Sequence, residues 1–148
     1  MNILLLKKLV STDAGFSTLV LRLPIAIIFI AHGAQKLFGL FGGYGLEATG
    51  QWMASIGLEP GYYMALLAGS AELVGGIALL IGLLVRPAAF VLSITMLVAI
   101  FSVHFANGLF MANSGYEFAL ALLAVSVSLI FSGAGKLSLD SLLNKSIT

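Results

Sequence analysis

Four long apolar stretches, near residues 16–38, 61–85, 87–105 and 116–131, dominate what this chain can become. Each approaches the roughly 20 helical residues needed to cross a hydrocarbon core of about 30 Å. With 60% of its 148 residues hydrophobic and 9% charged, the chain has too little polar side-chain material to clothe a water-soluble globule. The expected fold is all-α, an integral membrane four-helix bundle with the lipid bilayer as its solvent, in one domain over residues 1–148.

Lys7 and Lys8 ahead of the first stretch raise the question of a cleaved signal sequence. The stretch is too long for that role and carries Arg22 and Pro24, so it is expected to stay as a helix. Ser11, Thr12 and Asp13 precede it and can each accept free backbone N–H groups at its start. Between the first two spans, Gly39, Gly42, Gly43 and Gly45 lead into an amphipathic pattern of Leu46, Trp52, Met53 and Ile56. That pattern predicts a short interfacial helix. Arg86-Pro87 predicts a tight turn between the second and third spans, since proline suits the first turn of a helix. Leu139, Leu142, Leu143 and Ile147 predict a second interfacial helix at the C-terminus, capped by Ser138.

Lys7, Lys8, Arg86, Lys136 and Lys145 fall in the N-terminus, the second loop and the C-terminus, which share one side in a four-span chain. By the excess of cations in cytoplasmic loops, both termini are expected in the cytoplasm.

Ionisable groups within a bilayer cost on the order of 2.5 to 3.5 kcal/mol each at a helix centre, so each needs a reason to be there. The chain places Arg22, His32, Lys36, Glu72, His104 and Glu117 within or at the ends of its spans. At about 100° per residue, Arg22, Phe29, His32 and Lys36 share one helix face. Glu72 is flanked at helical spacing by Ala68, Gly69, Gly75 and Gly76, a small-residue surface that lets another helix come close. It is therefore expected to point into the bundle and to meet Arg22, His32 or Lys36. Such a pair is equally an interhelical clasp and the seed of a ligand or proton pocket.

Two histidines at similar depth raise a metal or bis-histidine haem, but no His-x-x-His or Glu-x-x-His spacing supports either, and no metal site is expected. With no cysteine, disulfides, thiolate ligands and thiol exchange by this chain are excluded. A net charge of +1 gives no footprint for nucleic acid. Phe38, Phe41, Tyr44 and Trp52 read first as an interfacial aromatic belt, and otherwise as brackets for a flat headgroup such as a quinone.

In order along the chain, RLPIAIIFIAHGAQKLFG (22–39), SIGLEPG (55–61), AELVGGIALLIGLLVRPAA (71–89), VHFANGLF (103–110), GYEFALALL (115–123) and GAGKLSLD (133–140) resemble the DoxX family of small bacterial membrane proteins. Ala134, where that family's pattern has proline, is a departure. The resemblance implies a four-helix protein of the bacterial plasma membrane, in a group linked to membrane oxidoreductase systems, including a thiosulfate:quinone oxidoreductase of archaea. It carries the family's recurrent polar positions onto Arg22, Lys36, Glu72, Arg86 and Asp140, with Arg22 and Glu72 as the foremost candidates for a functional or folding-critical role. The function it implies is an accessory subunit of a quinone-linked redox system, with quinone as cofactor and a membrane oxidoreductase or a second copy of the chain as partner. A carrier for a small solute or proton is the alternative from another class. A third reading is a non-catalytic scaffold whose small-residue face of Ala65, Gly69, Ala71 and Gly75 docks a partner helix.

Overall fold

The computed structural model describes residues 3–12 and 14–147; Asp13, a proposed helix-start acceptor, lies outside the described residues. Among these, seven α-helices run in order: α1 (Ile3–Val10), α2 (Ser17–Phe38), α3 (Gly45–Ser55), α4 (Gly61–Ile81), α5 (Val85–Ala99), α6 (Glu117–Ser132) and α7 (Leu139–Ile147). The chain is an all-α membrane bundle. Three segments, Ser17–Phe38, Gly61–Ile81 and Val85–Asn107, are long and apolar enough to cross a membrane. The 16-residue α6 is equally apolar, and at 1.5 Å per residue it is about 24 Å long.

The outward faces carry the side chains that lipid solvates: Val20, Ile27, Leu67, Val74, Phe90, Ile94 and Phe101 are all exposed. Inside, Phe29, Leu79, Leu92 and Leu129 are fully buried and join α2, α4, α5 and α6 into one core. The antiparallel pair α2–α4 is packed backbone to backbone. A Cβ on Gly33 would lie 2.5 Å from the amide nitrogen of Leu73, and one on Gly76 would lie 2.9 Å from that of Ile30. Helix α3 is no loose surface segment either, since Gly50 presses on the start of α4 at Gly61 and Tyr62.

Several boundaries differ from the sequence expectation. The turn between the second and third spans falls at 82–84, where Gly82 takes the left-handed conformation that ends α4, and Arg86 and Pro87 lie inside the first turn of α5. Proline is tolerated there because a first-turn N–H has no helical partner to lose. The third span ends in a π turn, Ile100–His104, and a 3₁₀ turn, Phe105–Asn107. Neither Ser11 nor Thr12 caps α2. Thr12 accepts the Gly135 N–H at 2.7 Å instead, because residues 133–138 run back against the start of α2. The proposed cap of the last helix is present, with Ser138 Oγ accepting the Ser141 N–H at 3.1 Å. Helix α1 was not expected from sequence.

Candidate functional site

The six ionisable positions separate into three groups along the bundle. At the end of the bundle that carries α3, the Lys36 ammonium donates to Glu72 Oε2 at 2.6 Å, joining α2 to α4. Glu72 is 3% exposed, whereas the Lys36 side chain keeps 24% of its surface. The pair borders a partly open chamber of about 110 Å³ lined by Phe29, His32, Lys36, Glu72, Met96, His104 and Phe118, among others. His32 packs its ring against Phe118, with centroids 6.1 Å apart. Four of the six expected residues, His32, Lys36, Glu72 and His104, therefore meet at one chamber.

Arg22 does not. Its guanidinium donates to the Leu79 carbonyl at 3.0 Å and the Leu137 carbonyl at 2.9 Å, at the opposite end of the bundle. Leu79 lies seven residues beyond Glu72, about 10 Å along the helix axis, so of the three candidate partners for Glu72 it is Lys36, and not Arg22, that meets it. Glu117 also stays out, because its carboxylate accepts the Met111 N–H at 2.6 Å and braces the loop before α6.

The other recurrent polar positions, Arg86 and Asp140, join Arg22 in a clasp at the end holding both chain termini. Asp140 accepts the N–H groups of Leu84 at 2.7 Å and Val85 at 3.0 Å, which caps the start of α5 from the C-terminal helix. Arg86 donates to the carbonyls of Ser11 and Ile130. Leu84 and Leu137, both in the left-handed region that non-glycine residues rarely adopt, are held there by these bonds. Burial pushes the Asp140 carboxyl above the ordinary carboxylate range, while the two N–H donors and the nearby Arg22 and Arg86 pull it back down. Asp140→Asn keeps one acceptor and orphans one N–H, so it should cost about 1–2 kcal/mol and open the last helix to proteolysis. Limited proteolysis and detergent unfolding check both effects, and an unchanged cleavage rate would remove the clasp reading.

Of the predicted packing residues, Gly69 receives Leu37 and Gly75 receives Leu92, Gly76 lies against Ile30, and Ala68 is half-buried beside them. The chain's own side chains thus cover Gly69 and Gly75, two positions of the face proposed for docking a partner helix.

A second, open groove of about 530 Å³ lies between the end of α2 and α3, lined by Gln35, Lys36, Gly42, Gly43, Tyr44, Ala48, Thr49 and Trp52. Lys36 borders both cavities. Gln35 holds the groove's rim by donating to the Phe41 carbonyl at 3.1 Å. Sequence reasoning named Tyr44 and Trp52 for such a role and placed Gln35 with Lys36 at the boundary of the first span, but it missed Thr49 of α3, since nothing in its spacing shows that α3 folds across the end of α2. It also missed Gly33, the α2 counterpart of the α4 glycines.

A family model described as DoxX matches residues 17–105. The chain is 36% identical over 123 residues to a Bacillus subtilis (strain 168) protein named "Putative oxidoreductase CatD", covering 83% of this chain and 84% of that one. It is 36% identical over 139 residues to the Escherichia coli (strain K12) inner membrane protein YqjF, covering 90% and 95%. A Haemophilus influenzae protein is 39% identical over 124 residues, covering 82% and 86%. No solved structure matches the chain.

Proposed function

We propose that this chain, which belongs to the DoxX family, serves as a small inner-membrane subunit of a quinone-linked redox system, binding a headgroup beside a proton-handling chamber. The observation that carries this reading is the position of Lys36, shared by a large groove and a smaller chamber in which it meets Glu72, His32 and His104. Volume divides the labour between the cavities. At about 110 Å³ the chamber has room for a few waters, given some 30 Å³ for each. The groove, at about 530 Å³, falls within the roughly 300–1,000 Å³ of small-molecule sites.

In this reading Trp52 and Tyr44 lie against the flat ring, the Lys36 ammonium donates to a ring carbonyl, and the chamber behind exchanges protons. With no cysteine in the chain, electrons come from a partner oxidoreductase. The relative named as an oxidoreductase supports the redox setting.

Binding of a quinone analogue to the full chain in nanodiscs, followed by fluorescence of Trp52, the single tryptophan, tests the site. Lys36→Gln and Thr49→Phe should each weaken binding about ten-fold, the loss of one charge-assisted hydrogen bond or one filled subsite. Undiminished binding in both variants would sink the proposal.

The orientation follows the same reading: both termini lie in the cytoplasm, with α6 as the fourth span. A phosphatase fused to the C-terminus should be inactive and a fluorescent protein there bright, as at the N-terminus. Opposite results at the two ends would leave three spans.

A further inference from the structure

A regular α-helix would carry His104 away from the chamber. Met96 and Ala99 line it from the third span, and at 100° per residue a regular helix would place His104 about 140° round from Ala99 and about 80° round from Met96. The chain instead makes a π turn over Ile100–His104, with the Phe105 N–H bonded five residues back to the Ile100 carbonyl. The extra residue in that turn swings His104 onto the face of Met96 and Ala99, and such π turns recur at functional sites.

The ring is also held in one tautomer. His104 Nδ1 lies 2.8 Å from the Ser114 carbonyl. A carbonyl only accepts, so Nδ1 carries the hydrogen and the neutral ring keeps its lone pair on Nε2. The loop that supplies this carbonyl is built rather than incidental. Ser114 takes the left-handed conformation, Asn107 Nδ2 donates to the same oxygen at 3.3 Å, and the Glu117 carboxylate fixes Met111 on the other arm.

The charged and titratable groups that face His104 across the chamber are Glu72 on α4 with His32 and Lys36 on α2. From α6 only Phe118, Ala119 and Leu122 face it. Glu117 is committed to Met111, and Tyr116 stacks on Phe105. Both histidines are half-buried, but His32 packs its ring against Phe118, whereas His104 sits in the π turn at the end of the third span, at the mouth of the bundle.

From this placement we infer that His104 is the proton port of the chamber. Its Nε2 takes a proton from the water side and passes it, directly or through chamber water, to the Lys36–Glu72 pair, while Nδ1–H stays on Ser114. No bond other than N–H and O–H changes, and each proton accepted is one delivered. The inference rests on the chamber being the proton-handling part of the proposed function.

The test is a pH jump on the full chain in lipid nanodiscs, with the Glu72 carboxyl band followed by time-resolved infrared spectroscopy and assigned by its loss in Glu72→Gln. His104→Ala should slow the approach to equilibrium by about ten-fold or more, in the range of a lost general acid–base group. Added imidazole should restore the rate. His104→Gln, which keeps an N–H for the Ser114 carbonyl but no relay nitrogen, should fold and be equally slow. An unchanged rate in His104→Gln, with Glu72 still titrating, overturns the port and leaves the proton chamber standing. A Glu72 band that does not respond to pH overturns both.

Discussion

Lys36→Met is expected to destabilise the bundle by about 2–3 kcal/mol, more than Glu72→Gln does, and the double variant Lys36→Met/Glu72→Met to recover most of the loss. Removing one partner of a buried ion pair typically costs about 3–5 kcal/mol, because the other is left charged and without water. Glu72, at 3% exposure on a span, cannot turn its carboxylate out to bulk water. Lys36 keeps part of its side chain at the surface, so in Glu72→Gln the ammonium can turn outward on its flexible stem. That asymmetry lowers the cost of the glutamine variant to about 1 kcal/mol and trims the upper bound for Lys36→Met. Two methionines of similar reach fill the same space with no charge to strand, the case in which buried pairs are often replaceable. Detergent-induced unfolding of the three variants measures this. A Glu72→Gln cost equal to or above that of Lys36→Met would mean that the pair's worth lies in hydrogen-bond geometry rather than in the stranded carboxylate.

The sequence supports half of this argument and not the other half. Glycines at helical spacing around Glu72 were enough to turn it inward, since only a small-residue face admits a second backbone that closely. Its partner stayed open among three cations on one helix face, because angular position says nothing about which residue lies at the same height once the crossing point of two helices is unknown. Gly33 sets that crossing, and a lone glycine amid larger residues carries no periodic signal. Arg22 misled for a related reason. Its partners are the carbonyls of Leu79 and Leu137, backbone atoms that every residue possesses and that no pattern marks. The turn at 82–84 was legible in Gly82, a helix-ending glycine, but Arg86-Pro87 gave the louder signal three residues on. The π turn had no signal at all, since one extra residue per turn leaves an apolar run looking like an apolar run.

Gly33→Ala should be a damaging single-methyl change at the α2–α4 contact, costing about 3 kcal/mol, at the upper end of overpacking penalties. The added Cβ would lie 2.5 Å from the Leu73 nitrogen, 2.8 Å from the Gly69 carbonyl oxygen and 2.9 Å from the Leu73 Cα. All three are backbone atoms of α4, so no rotamer change relieves the contact and the helices must move apart. Gly75→Ala adds the same methyl against side-chain atoms of Leu92 at 3.0–3.2 Å. A leucine can shift, and that variant should cost under about 1 kcal/mol. Separation at Gly33 is felt one turn further along α2, where the 2.6 Å contact between Lys36 and Glu72 bridges the same two helices. The two sites are therefore expected to be coupled rather than additive. Part of the Gly33→Ala cost is strain on that ion pair, and it should disappear when the substitution is made in the Lys36→Met/Glu72→Met background. A cost that is the same in both backgrounds would mean that α2 and α4 part without opening the chamber, and the spacing of the helices would then not be what holds the polar groups together.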